Sequence, residues 1–261
     1  MMPGRSELIC GDAVETMAAM RGQSIDLVIA DPPYNLGKDY GNNRDERTLA
    51  DYRRFTRAWL SEAVRLLNPT GSIYVFMGVR FIAELQVMLE QEFGLCFNGW
   101  ITWHYTQGMG RKRGFSPRHE DILYFTRGSD FTFNLDAIRV PQKYFRKRNN
   151  MTGANPGDVW QFSHVHYCSG ERQPHPTQKP EALIERMVRA SSNPGDRVLD
   201  PFVGSGTSTR VAEVLGRDGV GIDINPDYIA MAQARLTQDF RGFDSADPRG
   251  QRTPLDLPAG D

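Results

Sequence analysis

Apolar residues along this chain fall into short continuous runs separated by stretches of helical period. Leu8-Ile9-Cys10 and Ile25 to Ala30 are such runs. In the second, five residues of six are apolar and three are β-branched, which reads as a buried strand. Ala13 to Met20 between them reads as a helix. From Leu49 to Leu67 apolar groups recur at helical spacing (Phe55, Trp59, Leu60, Ala63, Val64, Leu67), and Asn68-Pro69-Thr70-Gly71 is expected to stop that helix in a turn. Strands are expected over Ser72 to Met77, Phe97 to Tyr105 and Asp121 to Thr126, with a helix over Phe81 to Gln91. The alternation then weakens between Gly128 and Gln173 and resumes after His175. Pro180 to Ala190 reads as a helix with proline at an early position, where its missing N–H is tolerated. Arg197 to Asp200 and Asp218 to Ile222 read as strands, Thr207 to Leu215 and Pro226 to Gln238 as helices. Strands and helices alternating at this spacing predict an α/β fold around a mainly parallel sheet.

Two of the predicted strands run into loops of distinctive chemistry. Ile25 to Ala30 ends at Asp31-Pro32-Pro33-Tyr34, where two successive prolines terminate the ladder and fix the backbone without help from a ligand. Such a loop can present a carboxylate, a carbonyl and an aromatic ring to one flat molecule. Arg197 to Asp200 leads into Pro201-Phe202-Val203-Gly204-Ser205-Gly206-Thr207, and Asp223 stands at the end of the next strand about 20 residues on. That spacing suits an adenosine-type cofactor, the glycines admitting the backbone and the carboxylate accepting from ribose hydroxyls. Position 209 is Thr209, so the third glycine of the dinucleotide fingerprint is missing. A third stretch, His175-Pro176-Thr177-Gln178-Lys179-Pro180, opens a helix. Taken singly these are a strand exit, a tight turn and a capped helix start.

Together, and in this order, they carry a resemblance. From about Leu8 to Asp239 the chain resembles the permuted β group of S-adenosylmethionine-dependent DNA amino-methyltransferases, in which Asp-Pro-Pro-Tyr comes first, a recognition segment lies in the middle, and the His-Pro-Thr-Gln-Lys-Pro and Phe-x-Gly-x-Gly-Thr elements come last. The resemblance implies a circularly permuted, Rossmann-like methyltransferase sheet of seven mostly parallel strands, one antiparallel, with helices on both faces. It implies a catalytic half over residues 5–127, an inserted target-recognition region over 128–173 and a cofactor half over 174–240; past Phe240 the chain turns to Gly, Asp, Pro and Arg with few apolar groups, so residues 241–261 are expected to be a disordered tail. Asp31 and Asp200 would end neighbouring strands at one sheet edge. By motif match Asp31, Asp200, Phe202, Gly204, Ser205, Gly206 and Thr207 line the cofactor, Asp223 and Ile224 meet its ribose side, and Asp12 with Ala13 its adenine. His175, Thr177 and Lys179 would flank the methionyl end.

The implied reaction turns on the poor nucleophilicity of an exocyclic amine, whose lone pair is delocalised into the purine. Asp31 and the Pro32 carbonyl would each accept one N–H bond, with Pro33 holding the loop and Tyr34 stacking on a flipped-out base. Cytosine-amine members tend to carry Ser where this chain has Asp31, which favours adenine N6. The alternatives are cytosine N4, or RNA or protein amide methylation on the same fold. A nicotinamide oxidoreductase is disfavoured by Thr209, and a DNA-binding regulator without activity by the intact Asp31, Tyr34 and Asp223.

Charge and cysteine usage refine the picture. The formal net charge is -1, but residues 106–172 hold 11 Lys+Arg against 6 Asp+Glu, leaving -6 on the remainder. That basic segment suits double-stranded DNA as partner, with Arg111, Lys112, Arg113, Lys143, Arg146, Lys147 and Arg148 on phosphates and Tyr144 able to stack on bases. Cys10, Cys96 and Cys168 are widely separated and none follows a proline as a carbon-5 cytosine nucleophile would, so they read as buried structural thiols. His104, His119, His164 and His166 lack partners at metal spacing, and no metal is expected. No apolar run approaches a membrane span and the N-terminal residues lack a signal-peptide core, so a cytoplasmic location is expected. Asn35 to Thr48 is a lid candidate. The family resemblance also raises a homodimer, for which Trp59 or Phe81 could supply exposed apolar groups, and a cognate restriction endonuclease.

Overall fold

The computed structural model describes residues 4–37, 46–105, 110–141, 153–166, 168–240 and 242–243. Eight strands form one sheet: β1 (Ser6–Cys10), β2 (Ile25–Ala30), β3 (Leu67–Met77), β4 (Cys96–His104), β5 (His119–Thr126), β6 (Val159–Gln161), β7 (Arg197–Asp200) and β8 (Asp218–Asp223). Their order is β1-β8-β7-β2-β3-β5-β4-β6, and only β5 runs against the rest. The expected single antiparallel strand is therefore present, but the sheet has eight strands rather than seven. The additional one is β6, from the stretch where the pattern weakened; its three residues are too few to show a period, and they pair in parallel with Thr102 to His104.

Alternation along the central strands explains the layers. Val28 and Ala30 face one side of the sheet and pack with Ile73, Val75, Met17, Trp59 and Leu60, drawn partly from helices α1 (Ala13–Ala19) and α2 (Leu49–Leu66). Helix α3 (Ile82–Val87) joins that face through Ile82 and Leu85 and continues into a π-helical turn over Met88–Glu92. Leu27 and Ile29 face the other side, meeting Leu183, Ile184 and Met187 of α4 (Glu181–Ser191) and Val211 of α5 (Thr207–Val214). Helix α6 (Pro226–Leu236) packs beside α5 and against β1 and β8. A strand buried on both faces must be apolar at nearly every position, which is why β2 reads as a continuous run.

Several expectations change on contact with the fold. The helix does end before Asn68, but residues 68–71 form an irregularity inside β3: Ile25 pairs with Leu67 while Leu27 pairs with Ser72. Trp59 and Phe81 are buried, 0% and 5% exposed, and offer no surface to a second copy. Trp59 faces the ring of Phe202 edge-on at 5.3 Å, and Phe81 packs on Tyr52 at 4.6 Å. The three cysteines, expected inside, are all exposed. Cys10 and Cys96 stand at strand ends, where side chains leave the packed layers. Most of the lid candidate and the tail, and residues 142–152 with Lys143, Tyr144, Arg146, Lys147 and Arg148, lie outside the described residues.

Candidate active site

The parallel strands β2 and β7 are neighbours, so their carboxyl ends bring Asp31 and Asp200 to one edge of the sheet, as the resemblance implies. Asp31 opens the Pro-Pro loop directly after β2. The loop is anchored from α2, where the Tyr52 hydroxyl donates to the Pro33 carbonyl at 3.1 Å. Asn35 then takes a positive φ of 55°, and its side chain exchanges hydrogen bonds with the backbone of Arg47 at 2.7 and 3.1 Å. Two imino acids and these anchors leave the carboxylate of Asp31 only 20% exposed.

Its partners form a compact charged cluster. Lys179 Nζ lies 2.7 Å from Asp31 Oδ2 and 3.3 Å from Glu120 Oε2. The Tyr34 hydroxyl lies 2.7 Å from Asp31 Oδ1 and 3.2 Å from Glu120 Oε2, its one proton shared between the two acceptors. Phe76 supplies an aromatic wall 5.1 Å from the Lys179 ammonium. Burial pushes the Asp31 carboxyl up, Lys179 pulls it down and the Glu120 charge pushes it up again, with a net rise. Burial works against the Glu120 charge too, but Lys179, His164 and the Tyr34 hydroxyl together outweigh it and hold that carboxyl below the usual range. Burial would lower Lys179, yet the two carboxylates prevail and keep it charged. Burial followed by the two neighbouring negative charges pushes Tyr34 well up, so at neutral pH it is a donor.

One pocket joins this cluster to the glycine loop. Asp31, His175, Thr177, Lys179, Asp200, Phe202, Gly204, Ser205 and Thr207 all line it. Gly204 and Gly206 have φ of 47° and 77°, a region side chains rarely adopt, and added Cβ atoms would lie 2.8 Å from the His175 ring and from Ala232. At Gly204 the backbone therefore lies closer to the pocket-lining His175, and at Gly206 closer to Ala232, than another residue type would allow. The Gly204 N–H donates to Asp223 Oδ2 at 3.0 Å, and the Asn225 N–H to Asp223 Oδ1 at 2.8 Å, so Asp223 ties β8 to the loop. Burial raises its carboxyl. Asp200 is buried and accepts from the Phe202 N–H at 3.0 Å; burial pushes its carboxyl up to about 7. A glycine cradle beside carboxylates fits a cofactor with a backbone-hugging amino-acid end and ribose hydroxyls.

Not every expected residue comes together. Asp12 lies next to the end of β1, which pairs with β8 up to Asp223, but its Oδ1 caps α1 by accepting from Val14 and Glu15 at 2.8 and 3.1 Å. Ala13 is part of the core, and Ile224 is 57% exposed. Gly206 packs on α6 rather than lining the pocket. Lys179, expected at a methionyl carboxylate, is already committed to Asp31 and Glu120. Arg111, Lys112 and Arg113 are exposed in the turn before β5, where the Arg111 N–H donates to Ser116 Oγ at 2.8 Å.

Glu120 is the member of this cluster that sequence reasoning missed. It is the second residue of β5, and Asp121 beside it pairs with Met77 at the end of β3. Because β5 is antiparallel, its beginning lies at the edge where the parallel strands end. A strand boundary moved by one residue and the direction of β5 would have found it.

Comparison with known proteins agrees with this geometry. A family model described as DNA methylase (N6_N4_Mtase) matches residues 25–234. Type II methyltransferase M.HpaI of Haemophilus parainfluenzae is 59% identical over 251 residues, covering 96% of this chain and 80% of that protein. DNA adenine methyltransferase YhdJ of Escherichia coli (strain K12) is 37% identical over 88% of this chain and 82% of its own length. Among solved structures, the cytosine-N4-specific PvuII DNA methyltransferase superposes with a TM-score of 0.76 at 18% identity, covering 91% of this chain and 88% of that one. A complex of M1.HpyAVI with SAM superposes with a TM-score of 0.64 at 27% identity, covering 88% of this chain and 100% of that one. A match over most of the chain, with a relative this similar, makes the protein a member of the S-adenosylmethionine-dependent N6/N4 DNA methyltransferase family, among its Type II enzymes.

Proposed function

We propose that this enzyme methylates the N6 amine of an adenine flipped out of duplex DNA. The observation that carries the reading is the Asp31 carboxylate, held by the Pro32-Pro33 loop and lining the same pocket as the glycine loop. S-adenosylmethionine, when bound, supplies an electrophilic methyl group on a sulfonium. Asp200, Phe202, Gly204, Ser205 and Asp223 would hold it, with His175 and Thr177 at the same pocket. Each oxygen of Asp31 already accepts one bond, from Tyr34 or Lys179, and a carboxylate oxygen can accept a second. An adenine amine donating one N–H there and the other to the Pro32 carbonyl has its lone pair turned out of conjugation and aimed along one line. Holding the amine in that attitude is the chain's main contribution to the rate, since a well-oriented approach removes several kcal/mol of barrier, about 7–11 in favourable intramolecular cases.

Similarity to YhdJ supports adenine, as does the carboxylate itself, which takes hydrogen bonds from an amine more strongly than a hydroxyl does. The exposed Arg111, Lys112 and Arg113, with Lys143, Arg146, Lys147 and Arg148 from outside the described residues, would grip the DNA backbone, and Tyr144 would stack on bases. The Type II relatives motivate two further parts of the reading, a cognate restriction endonuclease and a cytoplasmic place of action on the host's DNA; among the described residues no helix is long and apolar enough to cross a membrane. A homodimer would need a surface other than Trp59 and Phe81. Single-molecule sequencing of DNA from a methylation-free host expressing this chain tests the proposal. N6-methyladenine at one short motif is the expected result, and N4-methylcytosine at that motif would replace adenine with the alternative that the PvuII likeness allows.

A further inference from the structure

We propose that Lys179 and Glu120 are positioning residues for methyl transfer: Lys179, clamped between the two carboxylates, holds Asp31 aimed and ionised, and Glu120 fixes both Lys179 and Tyr34 in the places that clamp requires. The inference rests on the role given to Asp31 above. Nothing in the motif reading placed Glu120 at the site, and that reading assigned Lys179 to the cofactor.

Geometry carries the argument. Lys179 is 8% exposed, and its ammonium lies between carboxylates from two different elements, at 2.7 Å from Asp31 and 3.3 Å from Glu120. Phe76 and Tyr34 rings close its flanks at 5.1 and 5.7 Å. A buried ammonium with one carboxylate would form a neutral pair; the second carboxylate leaves the cluster at -1. The methylated amine carries the positive charge that the sulfonium gives up, so a net negative charge beside Asp31 favours the state toward which the reaction moves. Glu120 Oε2 also receives the Tyr34 hydroxyl, so the ring expected to stack on the base is braced from β5 as well as from its own loop. The groups facing Asp31 are Tyr34 on its own loop, Lys179 before α4, Glu120 on β5 and Asp200 at the end of β7. Around Glu120 stand Lys179, Tyr34, His164 and Tyr105.

The test measures kcat, cofactor KM and the pH profile of full-length Glu120→Gln, Lys179→Met and the double variant, with Asp31→Asn as reference. Glu120→Gln removes a charge that opposes ionisation of Asp31, so the acid limb of the profile should move to lower pH while kcat falls about 10- to 100-fold. Lys179→Met removes the charge that favours ionisation, so the acid limb should move to higher pH with a larger fall in kcat. The double variant restores the cluster's charge of -1, keeping the comparison open should Lys179→Met alone fold poorly, and its acid limb should fall between those of the two single variants. Cofactor KM should stay within about twofold throughout. A raised cofactor KM with unchanged kcat in Lys179→Met would return that lysine to the cofactor and overturn the proposal. So would a Glu120→Gln enzyme with wild-type kcat and pH profile. An active Asp31→Asn enzyme would instead overturn the role of Asp31 itself.

Discussion

The ring of His175 fills the space that a Cβ on Gly204 would need: an atom built there lies 2.8 Å from Nε2 and 3.0 Å from Cε1. The ring is also backed by Tyr228 at 4.6 Å between centroids, so it has little freedom to retreat. Gly204→Ala therefore combines a positive φ of 47° with a clash inside the pocket that His175 and Gly204 line. We expect a loss of about 1–3 kcal/mol of stability from the backbone alone and a cofactor affinity weakened by at least about tenfold from the clash. Gly195→Ala is the control, because its φ is 92° but a Cβ there meets nothing within 4 Å. It should lose stability and bind S-adenosylmethionine normally by calorimetry. Equal affinity losses in both variants would show that strain, and not the His175 contact, governs the loop.

Asp31→Asn keeps the size of the side chain but exchanges one acceptor oxygen for a donor. The amide cannot accept at both positions, and its NH2 would point at either the Tyr34 hydroxyl or the Lys179 ammonium. Loss of a single aimed polar group at a reacting centre typically costs about 10²- to 10³-fold in kcat. The expected result is that loss in single-turnover transfer with cofactor affinity nearly intact, since the glycine loop and Asp223 are untouched. Retention of most of the turnover would remove Asp31 from the chemistry.

Much of this was legible from the chain alone because the signals are local. Five apolar residues followed by Asp31-Pro32-Pro33 define a strand and its stop, and the spacing from Gly204 to Asp223 defines one loop–helix–strand turn of the sheet. What was not legible depends on strand direction and distant pairing. Glu120 is unremarkable in sequence and becomes part of the site only because β5 runs backwards. Lys179 stands in a recognised motif, but which carboxylate it meets is decided 59 residues away from Glu120 and 148 from Asp31 in the folded chain. Three residues of β6 carry no period, so their place in the sheet follows from β4 alone. Trp59 looked like a surface group only until Phe202 was placed against it.

Asp200 supplies a pH test of stability. Its folded pKa is raised from 3.8 to about 7, chiefly by burial, so the native state binds a proton there more tightly than the unfolded chain. The resulting stabilisation is complete below about pH 4 and is lost as pH rises through 7. Asp200→Asn carries no such ionisation and keeps an acceptor for the Phe202 N–H. In urea titrations the variant should gain on wild type between pH 5 and 8, by an amount on the order of 2–4 kcal/mol. A stability difference that stays flat across that range would mean the carboxylate ionises freely in the fold.

The exposed Arg111, Lys112 and Arg113 precede β5, and through it Glu120, by only a few residues, so DNA held by them is near the chemistry. If each contacts a phosphate, replacing all three with Ala should lower the slope of log K against log salt by about 0.9 per contact. Affinity should fall for cognate and unrelated duplexes alike, leaving the preference between them intact. Measured slopes identical to wild type would place the backbone contacts elsewhere on the protein.

Arg235 shows how the glycine loop is held from behind. It is 1% exposed, and its Nη2 lies 2.7 Å from Glu181 Oε1 and 3.5 Å from Glu171 Oε2. Its Nη1 donates to Thr207 Oγ1 at 2.8 Å and to the Ser205 carbonyl at 3.1 Å, so α6 grips the two residues that flank Gly206. Glu181 is shared with Arg210 at 3.0 Å, and the Glu171 carboxylate receives the Glu181 N–H at the start of α4. Arg235→Met removes the cation shared by Glu181 and Glu171 and leaves the buried Glu181 with Arg210. Breaking such a pair from one side typically costs about 3–5 kcal/mol, whereas replacing both partners by apolar groups is often neutral. Arg235→Met should therefore be strongly destabilised in urea, and Arg235→Met combined with Glu181→Leu should recover part of the loss. Even the recovered variant should bind S-adenosylmethionine more weakly, because Thr207 and the Ser205 carbonyl no longer have a donor holding the loop. Recovery of stability together with wild-type affinity would show that the glycine loop keeps its shape without support from α6.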